Sequence, residues 1–132
     1  MTTDRVGDFI IRLQNVALVG KREVVVPHSS HILAVAKKLK QLGFLTEVTV
    51  EGEEGNKRMI NVMLAYDERG NAKLRGVKRV SKPGRRLYTG AATAHTVKGG
   101  TGSRLISTSA GIFSDTEARK NNVGGEDLFE IW

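Results

Sequence analysis

The chain is 132 residues long and carries 21 Lys and Arg against 14 Asp and Glu, a formal net charge of +7 that favours polyanionic partners. That length fits one ordinary domain or two small lobes leaning on each other, because units of roughly 65 residues are only marginally stable alone. The absence of cysteine excludes a disulfide scaffold, thiolate catalysis and a Cys-based zinc site, and no apolar stretch approaches the roughly 20 residues that span a bilayer, so a cytoplasmic protein without membrane association is expected.

From Val6 to Val19 the apolar residues Val6, Phe9, Ile10, Leu13, Val16 and Ala17 recur at helical spacing, with Asp8, Arg12 and Asn15 on the other side, which predicts a first helix. Glu23-Val24-Val25-Val26-Pro27 is a short β-branched run ended by a residue that cannot donate to a ladder, and it reads as a strand. Ser29 or Ser30 stands where a second helix needs a cap. Its apolar stripe is Ile32, Val35, Ala36, Leu39 and Leu42, and Gly43 lies where a left-handed C-terminal cap is wanted. Leu45 to Glu51 and Arg58 to Leu64 are rich in Val, Ile and Thr and read as a hairpin around Gly52-Glu53-Glu54-Gly55-Asn56.

Asp67-Glu68-Arg69-Gly70-Asn71 forms a polar boundary, and no acidic residue follows it until Asp115. Short strand-like runs follow at Val77 to Val80, Arg86 to Tyr88, Arg104 to Thr108 and Leu128 to Trp132, and Ser114-Asp115-Thr116-Glu117 has capping-box spacing for one short helix to about Lys120. The expected fold is α+β, with two small packed lobes: residues 1–70 as α-β-α-β-β, and residues 71–132 as a mostly β lobe with one short helix.

Three segments of the second lobe can carry binding chemistry. Lys73, Arg75, Lys78, Arg79, Lys82, Arg85 and Arg86 form a basic run that can neutralise phosphates and release condensed counterions. Within it Lys82-Pro83-Gly84-Arg85-Arg86 presents cations from a turn, and Tyr88 beyond it either stacks on an exposed base or joins the core. Ser107-Thr108-Ser109-Ala110-Gly111 reads as a loop at the end of a strand, with hydroxyls that both donate and accept. Val123-Gly124-Gly125-Glu126 reads as a tight turn into the last strand, its carboxylate free to accept from a base amino group or to orient a nearby Arg. Taken alone, each also fits a bland surface role.

Enzyme readings are weak. Ser107 occupies the position where a nucleophile elbow around Ser109 needs glycine, and Gly99-Gly100-Thr101-Gly102-Ser103 lacks the Lys-Ser/Thr ending of a phosphate-binding loop. His28 and His31 have no evident third ligand, so neither a metal nor another cofactor is expected.

The segments Asp4 through Asn15, Arg79 through Tyr88, Ile106 through Gly111 with Ser114 through Arg119, and Val123 through Glu126 resemble, in order and nearly end to end, the bacterial ribosomal protein S eight family. The resemblance implies a structural constituent of the small ribosomal subunit that catalyses nothing. It implies a primary binder of the central domain of 16S ribosomal RNA that supports subunit assembly beside neighbouring ribosomal proteins. An alternative role is translational repression of its own operon, through a messenger mimic of that site. By position, Ser107, Thr108 and Ser109 match the family's RNA-reading loop, with Gly111, Tyr88, Gly124, Gly125 and Glu126 around it. Thr3, Asp4, Arg12, Asn15, Ser29 and Ser30 match N-terminal positions that approach RNA. Ala110 departs from the Lys common there, Phe113 from Met, His31 from Lys, and Arg5 and Gln14 from Pro and Arg, so the lost cations each remove about one phosphate contact, some of which Arg85 and Arg86 are expected to restore.

Overall fold

The structure is a computed structural model of the chain and describes residues 5–52, 58–81, 84–89 and 102–132. In chain order its elements are α1 (Arg5–Leu18), β1 (Glu23–Pro27), α2 (Ser30–Gln41), β2 (Leu45–Glu51), β3 (Met59–Leu64), β4 (Val77–Arg79), β5 (Tyr88–Thr89), β6 (Ser103–Thr108), β7 (Gly111–Ser114), α3 (Asp115–Lys120) and β8 (Gly125–Ile131). The fold is α+β, with an N-terminal α-β-α-β-β region and a mostly β C-terminal region holding one short helix. Two compact units result, one over Asp8–Arg75 and one that includes Gly76–Trp132. No described helix is long and apolar enough to cross a membrane.

In the first unit β1, β3 and β2 form an antiparallel sheet in that spatial order. Val24 stands opposite Val62 and Val26 opposite Ile60, so strand alternation gathers these four buried side chains on one face. The predicted helical stripes complete the core: Phe9, Ile10 and Leu13 of α1 and Ile32, Val35, Ala36 and Leu39 of α2 are all buried. Asp8, Arg12 and Asn15 stay exposed on the outer side of α1, as their spacing predicts. At the end of α2 the Gly43 N–H donates to the Lys40 carbonyl and the Phe44 N–H to the Leu39 carbonyl, the paired bonds that close a helix through a left-handed residue. Ser29 occupies the N-cap position of α2 but its side chain makes no capping bond. The expected cap is therefore present in backbone form only, with Leu33 N–H donating to the Ser29 carbonyl.

The second unit is an antiparallel sheet with β8 and β6 at its centre and β7 on one edge, while β4 and β5 both pair with the other side of β8. Gly76 and Trp132 exchange backbone bonds of 3.0 and 3.1 Å, which tie the last residue to the start of the unit. The capping box appears as expected: the Ser114 hydroxyl accepts from Glu117 N–H and the Glu117 carboxylate from Ser114 N–H, both at 3.2 Å. Ile106 and Ala118 are fully buried with Phe113 and Val123 packed against them, so α3 covers the face of the sheet to which Ile106 points. Three strand expectations need correction. β7 is a strand the sequence pattern does not show, and β8 begins at Gly125, three residues before the predicted Leu128. The strand expected over Arg86 to Tyr88 is only Tyr88–Thr89, since the Leu87 N–H donates to the Ser81 hydroxyl in place of a ladder partner.

Candidate nucleic-acid interface

Register places one row of side chains across the sheet of the second unit. Tyr88 of β5 and Ser107 of β6 both stand opposite Glu126 of β8, and Ser107 also stands opposite Ile112 of β7. Residues directly opposite in an antiparallel pair share a face, and consecutive residues of a strand alternate faces. The row Tyr88, Glu126, Ser107 and Ile112 therefore lies on the side opposite Ile106, away from α3. Tyr88 is 73% exposed, which decides between the two sequence readings: it is a surface ring and not a core one.

The hydroxyl segment is not a loop at the end of a strand but a hairpin. Ser107 and Thr108 belong to β6, Gly111 opens β7, and Ser109 and Ala110 alone form the turn. Neither turn residue has positive φ. That torsion falls on Gly111, at 129°, where glycine tolerates it without steric cost. Thr108 braces the turn from within, its hydroxyl donating to the Gly111 carbonyl at 2.8 Å and accepting from Ala110 N–H at 3.1 Å. The three hydroxyls thus divide their work. Thr108 holds the hairpin, whereas Ser107, half-buried in the row, and Ser109, exposed at the tip, have hydroxyls that bond no side chain or backbone group among the described residues.

Gly125 is also corrected. It lies in β8 and forms no turn, and a β-carbon there would overlap the Ser107 carbonyl oxygen and come within 2.9 Å of the Ser107 carbonyl carbon. Glycine is required by close approach of two backbones. Gly124 precedes the strand and is exposed. Glu126 does what one sequence reading allowed: its carboxylate accepts from Arg86 Nη1 at 2.9 Å, with the Glu side chain 18% exposed and the Arg 50%. Arg79 lies in the same field. Burial lowers its pKa from the ordinary guanidinium value, the Arg86 charge lowers it further, and Glu126 partly restores it. Arg85 is exposed beside Arg86, and Lys82 lies outside the described residues.

Not every cation of the second half faces outward. Arg104 is 13% exposed; its guanidinium meets Glu130 at 2.6 Å and Asp127 at 3.5 Å, so it is spent inside the unit. Arg12, Asn15, Ser29 and Ser30 belong to the other unit. Arg12 is held by Asp8 at 3.2 Å and donates to the Val25 carbonyl at 3.2 Å. With Asn15 it lines a groove of about 370 Å³ whose other wall is Glu23, Val24 and Val25 of β1. Ser29 and Ser30 begin α2, and Thr3 and Asp4 lie outside the described residues. Sequence reasoning missed Ile112 as a member of the row, since only register reveals it. It also named Arg79 merely as one cation of a run.

The family model described as ribosomal protein S8 matches residues 4–132. The chain is similar to proteins described as small ribosomal subunit protein uS8: 40% identical to that of Nautilia profundicola, 40% to that of Campylobacter fetus subsp. fetus and 41% to that of Nitratidesulfovibrio vulgaris, each over 132 residues and the whole of both chains. The chain belongs to the ribosomal protein S8 family. An S8 protein is a structural component of the ribosome and not an enzyme. The S8 match spans both units, so the resemblance read from the four separate segments extends over the residues between them.

Proposed function

We propose that this S8 chain is a primary binder of small-subunit ribosomal RNA, docking on the central domain of 16S ribosomal RNA, in the cytoplasmic ribosome and beside neighbouring small-subunit proteins. The observation that carries the reading is the in-register row of Tyr88, Glu126 and Ser107, with Arg86 fixed at its edge. An exposed aromatic ring offers a stacking face to an unpaired base, and hydroxyls without partners among the described residues can bond a 2′-OH, a phosphate or a base edge. Arg85 and Arg86 supply phosphate contacts close to those groups. Arg12, Asn15, Ser29 and Ser30 on the other unit are a second set of RNA contacts supported by the family position alone, and so are Thr3 and Asp4, outside the described residues.

Because these groups recognise RNA shape and not a long base sequence, the same row serves a messenger mimic of the ribosomal site, and repression of the chain's own operon is the companion reading. Binding of the purified chain to a central-domain fragment, titrated against salt, tests the first reading. About four neutralised phosphates give a log–log slope near −3, at roughly 0.7 to 0.9 per phosphate. A salt-independent affinity contradicts it. Competition between that fragment and the chain's own operon leader tests the second: simultaneous binding of both RNAs contradicts a shared site.

A further inference from the structure

Ser81 lies within the basic run and is 3% exposed, one of few buried polar side chains among the described residues. Its hydroxyl donates to the Leu87 carbonyl at 3.0 Å and accepts from the Leu87 N–H at 2.9 Å. Its backbone is engaged as well: the N–H donates to the Asp127 carbonyl at 3.0 Å, and the carbonyl accepts from Arg79 Nε at 2.8 Å. Leu87 is tied to the same strand by its carbonyl, which also accepts from Asp127 N–H at 2.9 Å. One oxygen that both donates to and accepts from the backbone of a single residue does the work of a rung of ladder, in a place where no strand residue stands. The two residues flanking Leu87 are Arg86 and Tyr88.

We propose that Ser81 is the positioning residue of the RNA-binding row. It touches no RNA. Its hydroxyl fixes Leu87 and thereby the directions in which Arg86 leaves toward Glu126 and Tyr88 enters β5, while its carbonyl fixes Arg79 beside them. This rests on the RNA-binding reading above. The chemistry demands a donor and an acceptor on one atom a single carbon from the backbone, which serine and threonine supply, alanine lacks and cysteine supplies only weakly.

The test compares the full chain with Ser81→Ala, Ser81→Thr, Arg86→Ala and the double variant Ser81→Ala/Arg86→Ala, measuring affinity for a central-domain fragment against salt together with urea unfolding. Ser81→Ala is expected to weaken binding about tenfold, the scale of a lost buried hydrogen-bond pair, and to flatten the salt slope by roughly 0.7 to 0.9, as Arg86→Ala does. Ser81→Thr restores both. The double variant has the slope of Arg86→Ala alone, since both changes remove the same phosphate contact. A Ser81→Ala variant that unfolds earlier yet keeps the parent affinity and slope shows a purely structural serine and overturns the inference, as does an additive double variant. If Arg86→Ala and Tyr88→Ala leave binding untouched, the RNA-binding reading itself falls. Should Ser81→Ala fail to fold, Ser81→Cys is measured in its place against the same outcomes.

Discussion

The Ser107 carbonyl occupies the space that a β-carbon on Gly125 would need, so β8 can run against β6 there only because residue 125 is glycine. Backbone on both sides leaves no flexible side chain to yield. Gly125→Ala is therefore expected to cost at least the roughly 1–3 kcal/mol of an overpacked core and to shift the Glu126–Ser107 register. Urea unfolding measures the first effect, and loss of RNA affinity under conditions where the variant is still folded measures the second. An alanine variant with the parent's unfolding midpoint would show that the two strands can separate at no cost.

The hydroxyls of the hairpin separate by role. Thr108→Val removes the two bonds that brace the turn and should lower stability by about 1 kcal/mol, the net worth of a typical hydrogen bond, read as a shifted urea midpoint. Ser107→Ala with Ser109→Ala should leave that midpoint unchanged. The double alanine variant should instead lose a few kcal/mol of affinity for the specific RNA while non-specific duplex binding stays constant, because it removes readout and not charge. Equal losses on both RNAs contradict this division.

Tyr88 is exposed enough for its ring to be removed without disturbing a core. Tyr88→Ala should forfeit about 1–3 kcal/mol of RNA binding if one base stacks on it, and Tyr88→Phe should keep most of that affinity. Both variants should unfold with the parent. A Phe variant as weak as the Ala variant would transfer the contact from the ring face to the hydroxyl.

Arg86 and Arg104 carry the same charge and are expected to behave in opposite ways. Arg104→Met abandons Asp127 and Glu130 inside the unit and should destabilise by roughly 3–5 kcal/mol, the cost of breaking a buried pair from one side. Its salt slope on RNA should match the parent's. The half-exposed Arg86–Glu126 pair is worth at most about 1 kcal/mol to the fold, so Arg86→Ala should barely move the unfolding midpoint yet flatten the slope.

What was legible in the chain was local. The stripes of α1 and α2, the closure of α2 at Gly43 and the Ser114–Glu117 capping box depend on spacings of three or four residues, and each appears where the sequence put it. What was not legible depended on pairing between distant segments. β7 holds only Ile112 and Phe113 as apolar residues, too short a run to read as a strand without its partner β6. The Gly124-Gly125 doublet reads as a turn unless the neighbouring strand is known. Arg104 looks like one more surface cation until Glu130 is found opposite it on β8. The site followed the same rule: its members were named one by one from family position and chemistry, but the row uniting Tyr88, Glu126 and Ser107 is a property of register.

Footprinting of purified 16S ribosomal RNA with the parent chain and with the Tyr88→Ala/Ser107→Ala/Ser109→Ala variant tests the central claim most directly. The account predicts one protected patch in the central domain, lost with the variant although its unfolding midpoint equals the parent's. Protection in another domain, or a central-domain patch that survives removal of the row, would contradict it.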